Sequence, residues 1–359
     1  MHTEIATLGE FGLIRHLTDK LPVFNDSTIK GIGDDAAIIN NKDDSTLVTT
    51  DLMLEGVHFD LTYFPLKHLG YKAAMINFSD IYAMNGFPKQ ITVSLGISKR
   101  FSIEDMEQLY SGIRLACEEQ KVDIVGGDTT SSANGLAISI TCIGTAKSDE
   151  IVSRSGAKEG DLICVSGDLG AAYAGLQLLE REKMVFQSEL TEAAKKTNLA
   201  LAEEQIQPDF TGKEYLLERQ LKPVARRDII EILHKANLRP TSMIDISDGL
   251  SGDMLHICED SSVGCKIYEE HLPIDYQTAV QAEQFNMNLT TFALNGGEDY
   301  ELLFTLPISA NEQIKELDNI KPIGYITKKE LGSFLVTRDG QEFPIQAQGH
   351  KNGAEMPEK

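Results

Sequence analysis

An acidic residue beside glycine or a hydroxyl side chain closes one apolar run after another in this chain. The instances are GIGDD (Asp34, Asp35), VTTD (Thr49, Thr50, Asp51), NFSD (Asn77, Ser79, Asp80), IVGGDTT (Gly126 to Thr130), IDISDGL (Asp245, Ser247, Asp248) and NGGEDYE (Glu298, Asp299). Any one of them is ordinary turn or capping chemistry. Together they favour a shared site, because strand ends in α/β domains converge while the sheet holds them still. Convergence has an electrostatic condition attached. Two unit charges about 4 Å apart repel by roughly 4 kcal/mol at an effective dielectric of 20, so a bare cluster destabilises the fold or takes up protons. Mg²⁺ meets that condition, since it takes oxygen ligands and bridges carboxylates to phosphates. A donor set rich in Asp and poor in His and thiol points to Mg²⁺ rather than zinc.

The balance of charge agrees with a cation-filled site. Formal net charge is −22, the wrong sign for a surface that tracks nucleic acid or anionic lipid. The segment MHTEIATLGEFGLIRHL has no basic stretch followed by an apolar run, and nothing approaches the roughly 18 apolar residues that span a bilayer, so a cytoplasmic protein is expected. Five cysteines, Cys117, Cys142, Cys164, Cys258 and Cys265, sit mostly in apolar runs without C-x-x-C spacing and read as buried thiols of a reducing compartment. At 359 residues and 42% hydrophobic content, the chain suits two globular domains.

The order of patterns predicts α/β (α+β) architecture. In the first half, GEFGLIRHLTDKL reads as a helix, TLVTTDLML as a strand, HLGYKAAMINFSDIYAMNG as a helix, KQITVSLGI as a strand and SIEDMEQLYSGIRLACEEQ as a helix with Ser102 capping an acidic first turn. VDIVGGDTT and LAISITCIGTA read as strands. The polar stretch KSDEIVSRSGAKEGD breaks the alternation and places the boundary between domains 1–150 and 151–359. Beyond it come strand DLICVSG, helix AAYAGLQLLERE, a polar helical region to about residue 238, strand SMIDIS, helix GLSGDMLHICED, strands CKIYEE and YELLFTL, a final strand pair KPIGYIT and SFLVTRDG, and a polar tail.

The usual phosphate-binding devices are missing. There is no G-x-x-x-x-G-K-[ST] loop and no protein-kinase motif set. Gly31, Gly33 and Ala36 match a loose G-x-G-x-x-A, but AAIINN is too short and polar for the helix that must follow. The two glycines are expected instead to bend the chain at GIGDD, with Ala36 to Ile39 returning into a sheet; Asp34 orients either its neighbour or the turn. SGDLGAA, Ser166 to Ala172, offers backbone N–H groups to an anion or simply packs strand against helix. Arg154 and Lys158 are candidate phosphate clamps or surface charges. Asn77 and Asp80 share a helix face by their spacing.

The ordered set GEFGLI, GIGDDAA, TTD…GVHF, YKA…N.SD…AM, GGDTT, SRSGAKEGD, DISDGL and GGEDYEL, from about Gly9 to about Gly340, resembles the thiamine-monophosphate kinases. These belong with aminoimidazole ribonucleotide synthetase, selenophosphate synthetase and a hydrogenase-maturation protein in one ATP-binding superfamily. The resemblance implies a two-domain aminoimidazole-ribonucleotide-synthetase-like fold, an N-terminal sheet forming the interface of a homodimer, a C-terminal α+β domain and a site between them. It implies direct in-line phosphoryl transfer from ATP to thiamine monophosphate, assisted by several Mg²⁺ ions. Asp35, Asp51, Asp80, Asp128 and Asp245 then match metal ligands, with Thr49 and Thr50 adding oxygen donors and Asp248 a further contact. Gly127, Asp128, Arg154 and Ser247 match contacts to nucleotide phosphates, and His58 and Glu298 match positions that hold the acceptor. No general base is called for, because an acceptor phosphate oxygen is already ionised near neutral pH.

Two departures stand out. Where the family carries a C-terminal aromatic that stacks on the substrate this chain reads GHKNG, leaving His350 as the candidate for that contact; CEEQKVD also lacks the Tyr often found before the GGDTT strand. Rival members of the superfamily fit less well, since no Cys precedes Cys117 and the C-terminus reads AEMPEK. Another ATP-dependent enzyme of that superfamily is the alternative, followed by a noncatalytic nucleotide-binding protein.

Overall fold

The structure is a computed structural model that describes residues 28–30, 34–41, 44–194 and 210–347. The expected first helix, the bend at Gly31 and Gly33, and His350 with the polar tail lie outside the described residues.

Six strands, β1 (Thr28–Lys30), β2 (Ala37–Asn41), β3 (Asp44–Leu54), β4 (Phe87–Ile97), β5 (Asp123–Ser131) and β6 (Leu136–Lys147), form one sheet in the order β1-β2-β3-β6-β4-β5. Its centre is the antiparallel pairing of β3 with β6, from Asp44 opposite Lys147 to Leu54 opposite Ala137. Alternate residues of β6, among them Leu136, Ile138, Ile140 and Cys142, are buried, as period-two patterning requires of a sheet with one packed face. Ala36 and Ile38 return into this sheet as expected, and β2 pairs antiparallel with β3.

Two helices cover the packed face, α1 (Leu66–Ala83) and α2 (Ile103–Gln120). The α2 start follows from its sequence: the Ser102 hydroxyl accepts from the Asp105 N–H at 3.2 Å and the Asp105 carboxylate accepts from the Ser102 N–H at 2.8 Å, a reciprocal cap. Their crossing is unusually close. A Cβ on Gly70 would stand 2.0 Å from the Leu109 carbonyl oxygen, and one on Gly112 would stand 1.8 Å from that of Lys67.

Seven further strands, β7 (Leu162–Ser166), β8 (Ser242–Asp245), β9 (Val263–Tyr268), β10 (Leu302–Leu306), β11 (Ile320–Lys328), β12 (Ser333–Val336) and β13 (Glu342–Pro344), form a second sheet in the order β13-β12-β9-β11-β7-β10-β8. The strands expected as a final pair, β11 and β12, are not neighbours. β9 lies between them, antiparallel to β11 and parallel to β12, so the short 3₁₀ turn Lys329–Leu331 carries the chain across a strand instead of folding a hairpin. Helices α3 (Ala171–Ala194), α4 (Glu214–Leu221), α5 (Arg227–Lys235), α6 (Leu250–Ser261), α7 (Tyr276–Gln284), α8 (Leu289–Asn295) and the single turn α9 (Asn311–Ile314) complete the described part of this half, and the last three went unread in the sequence.

Every residue of β7, β8 and β10 is buried, which marks strands packed on both faces. Alternation divides them between two cores. Leu162, Cys164, Met243, Leu302 and Phe304 join the core built around α1, whereas Ile163, Val165, Ile244 and Leu303 join a second one with Leu250, Met254 and Ile257 of α6. Helix α1 therefore lies between the sheets, and fourteen of its eighteen residues are buried.

Because no rotamer change relieves a backbone contact, Gly112→Ala should destabilise the fold by about 1–3 kcal/mol. Denaturant unfolding measures it; an unchanged midpoint would show that the helices separate freely.

Candidate active site

Parity along the strands decides which oxygens meet. Thr49 and Asp51 fall on the β3 face of Leu47 and Met53, towards α1, and Asp245 falls on the β8 face of Met243, also towards α1. Helix α1 presents Ser79 and Asp80 between them. The Thr49 hydroxyl donates to Asp80 Oδ2 at 2.6 Å, and the Ser79 hydroxyl donates to Asp245 Oδ2 at 2.5 Å. Asp35, just before β2, completes the group: oxygens of Asp35, Asp80 and Asp245 all lie within 4.8 Å of one another.

The charges are uncomfortable there. Burial raises the carboxyl of Asp35 to about 7, with Asp245 and Asp34 adding to the rise and Arg154 opposing it. Burial lifts Asp51 to about 6 and Asp245 to about 6. Asp80 stands well above the carboxylate range through burial and then through Asp51, Asp245 and Asp35. Three buried oxygens in this part of the molecule, Asp35 Oδ2, Asn77 Oδ1 and Asp253 Oδ2, accept no hydrogen bond. Hard oxygen donors, crowded and short of hydrogen-bond donors, fit a divalent cation such as Mg²⁺.

One cation of the protein already answers part of this charge. Arg154 Nη2 pairs with Asp35 Oδ1, and the Arg154 backbone N–H donates to both oxygens of Asp34 at 3.3 Å. Asp34 also accepts from the Asp35 N–H at 3.0 Å and pairs with Lys30. Asp34 is therefore tied to its neighbour, to the Arg154 loop and to β1.

A second group lies beyond Tyr300. Burial and then the charges of Glu298, Asp51, Asp245 and Asp80 all act on the Tyr300 phenol and push its pKa well up. Glu298 and Tyr300 take left-handed backbone angles, φ 59° and 51°, rare for residues with a side chain and concentrated at functional sites. Hydrogen bonds hold them: the Glu298 N–H donates to Ser247 O at 2.7 Å and the Tyr300 N–H to Ile246 O at 2.9 Å. Burial works against the Glu298 charge, but Lys72, Gln220 and His58 outweigh it and hold the carboxyl below its usual range. His58 is exposed, and its Nδ1 accepts from the Leu54 N–H at 2.9 Å.

Other sequence candidates fall elsewhere. The Thr50 hydroxyl lies on the opposite face of β3, donating to Ile140 O at 3.1 Å, because successive strand residues point to opposite faces. It is not available to the cluster. Gly127 and Asp128 lie on the exposed edge strand β5, separated from β3 by β4 and β6, about 14 Å away at ordinary strand spacing. Gly127 has a packing reason of its own, since a Cβ there would stand 2.0 Å from Val93 O. The turn SGDLGAA does bind an anion, the protein's own: Asp299 accepts from the Gly170 N–H at 2.8 Å and the Ala172 N–H at 3.3 Å, at the start of α3. Asp248 adds its charge to Asp245 and Asp253.

Asp253, Tyr300 and Lys72 were missed as site residues. Asp253 is buried one turn into α6, where Asp248, Asp245 and Asp35 all act on it. Its only sequence signal was an acid on an otherwise apolar helix face.

Residues 33–146, which carry Asp35, Asp51 and Asp80 but not Asp245, match the family of AIR synthase related proteins, N-terminal domain, and this gives the class to which the first half of the fold corresponds. More closely, the chain is 36% identical over 304 residues to the thiamine-monophosphate kinase of Aquifex aeolicus, covering 84% of this chain and 87% of that one. It is 30% identical to that of Bacillus subtilis, over 96% of this chain and 99% of the relative. Among solved structures, AaThiL complexed with AMPPCP and TMP superposes with a TM-score of 0.79 at 32% identity, covering 98% of this chain and 99% of that one. The chain belongs to the thiamine-monophosphate kinase family.

The cluster sets a sign for stability against pH. Asp35, Asp51 and Asp245 have folded values above the ordinary 3.8, so the native state binds their protons more tightly than the unfolded chain. Their contribution is therefore lost as pH rises from 3.8 through about 7. In chelator, the melting temperature of the wild type should fall over this window relative to an Asp80→Asn variant, and a divalent cation should restore it near pH 7. Parallel profiles with and without cation would contradict this account.

Proposed function

We propose that this chain transfers the γ-phosphoryl group of ATP directly to thiamine monophosphate, forming thiamine diphosphate and ADP. The observation that carries this reading is the Asp35–Asp80–Asp245 group with its donor-free buried oxygen, in a chain whose relative AaThiL is complexed with AMPPCP and TMP. Phosphoryl transfer asks a protein for in-line placement and charge neutralisation rather than covalent chemistry. Asp35, Asp51, Asp80 and Asp245 would hold Mg²⁺, with Thr49 and Asp248 beside them. When bound, Mg²⁺ supplies neutralising charge to phosphate oxygens.

The remaining work belongs to the chain. Arg154, whose planar guanidinium suits phosphate oxygens, is assigned to the nucleotide phosphates with Ser247, and Gly127 and Asp128 of β5 to the nucleotide's far side. Asp128 as a direct metal ligand requires β5 to approach the cluster. His58 and Glu298 flank the acceptor. No side chain needs to remove a proton from an acceptor oxygen that is already ionised.

The assembly reading is a homodimer of two-domain subunits, divided near residue 150 between the two sheets. Its support is that β5 stands at one edge of the first sheet among the described residues, with all nine of its residues exposed, and that Leu52 and Leu54 on the outer face of β3 and Ile124 and Val125 of β5 are exposed; an open edge and exposed apolar side chains of this kind call for a cover. The five described cysteines are all free and buried, which fits the reducing cytoplasm.

Phosphorus NMR of the purified protein with ATP, Mg²⁺ and thiamine monophosphate should show thiamine diphosphate and ADP, with thiamine and selenide inert as acceptors. Absence of thiamine diphosphate would overturn the reading. In the same assay, Asp35→Asn should lower kcat by at least about a hundredfold while the fold persists, as loss of one preorganised electrostatic contact does; near-normal turnover removes Asp35 from the site.

A further inference from the structure

Lys72 has no exposed side-chain surface, yet it carries its charge inside the molecule at the middle of α1. Its ammonium lies 2.9 Å from Glu298 Oε1, donates to Gln220 O at 3.1 Å, and stands 5.5 Å over the Phe64 ring. The other Glu298 oxygen accepts from Gln220 Nε2 at 2.8 Å. The carboxylate is thus gripped at both oxygens, by α1 and by α4, while its side chain stays 31% exposed.

Two consequences follow from this grip. A cation at contact distance cancels most of the field that Glu298 would otherwise project, so it is a poor counter-ion for a second cation. An ionised carboxylate offers about four acceptor sites; Lys72 and Gln220 engage one on each oxygen, leaving others for a donor from the exposed side. The left-handed backbone at Glu298 adds rigidity to that presentation.

We propose that Lys72, with Gln220, is a positioning residue that neutralises and fixes Glu298, so that Glu298 recognises an N–H donor on the organic part of the acceptor by hydrogen bonding and not by net charge. This rests on the reading that the acceptor is thiamine monophosphate, which carries both a pyrimidine amino group and a cationic thiazolium. The two modes of recognition predict opposite signs. Unmasking Glu298 by removing Lys72 tightens binding if Glu298 pairs with the thiazolium, and weakens it if Glu298 must be held in place.

The experiment is steady-state kinetics of wild type, Lys72→Met, Glu298→Gln and the double variant, with thiamine monophosphate and with oxythiamine monophosphate, in which a carbonyl replaces the amino group. Lys72→Met should raise KM for thiamine monophosphate roughly tenfold, about 1.4 kcal/mol, with kcat and the KM for ATP within about twofold. The preference for thiamine monophosphate over the oxo analogue should shrink by a similar factor. The double variant removes both charges and so leaves no buried ion unpaired; its KM should equal that of Glu298→Gln alone. An unchanged or lowered KM in Lys72→Met, a retained preference, or a further tenfold rise in the double variant overturns the proposal. Wild type that forms no thiamine diphosphate rejects the reading of the function itself; an active wild type with indifferent variants rejects only the role of Lys72.

Discussion

Everything in this molecule is arranged around the burial of one helix between two sheets. Helix α1 has no solvent face to speak of, so its polar residues must find partners inside. Ser79 reaches Asp245 of the second sheet and Asp80 receives Thr49 of the first. One turn of one helix therefore sets the spacing of carboxylates that come from segments far apart in sequence. The glycine contacts that press α2 against α1 hold that turn still, as a site requiring sub-ångström placement demands.

The same burial makes the site costly in the absence of a cation. Desolvated carboxylates within 4.8 Å of each other are tolerated because hydroxyls donate to them and Arg154 pairs with one of them, yet burial still keeps them weak acids. Such a site is poised to gain from a divalent cation what the fold gives up in stability. Around Glu298 the chain makes the opposite choice. Lys72 supplies a full internal counter-charge, leaving a carboxylate that is ionised, oriented and nearly neutral in its effect on neighbours.

Much of this was legible before any coordinates. Apolar runs, alternating in the first sheet and continuous in β7, β8 and β10, located strands β3 to β12, the Ser102 cap located the start of α2, and the acid-bearing turns named the residues that gather at α1. What was not legible has specific physical causes. β9 inserts between β11 and β12 because strand neighbours are chosen by long-range pairing, which local pattern does not encode. SGDLGAA looked like an anion cradle and is one, but its occupant, Asp299, lies well over a hundred residues away along the chain. Asp253 and Lys72 fall inside stretches that read as helices, with little local to single them out; only packing reveals that both are buried.

By itself the sequence determined which chemistry is available: oxygen donors at strand ends, a strongly acidic balance, and no P-loop to bind phosphate directly. It also determined, through motif order, the family. Tertiary structure decided which of those oxygens share a site. Strand parity turned Thr49 and Asp51 inwards and Thr50 outwards, and sheet order carried Asp128 to a far edge. The reason is geometric: composition and spacing specify donors one at a time, whereas a site is a set of distances between residues that meet only when both sheets close on α1.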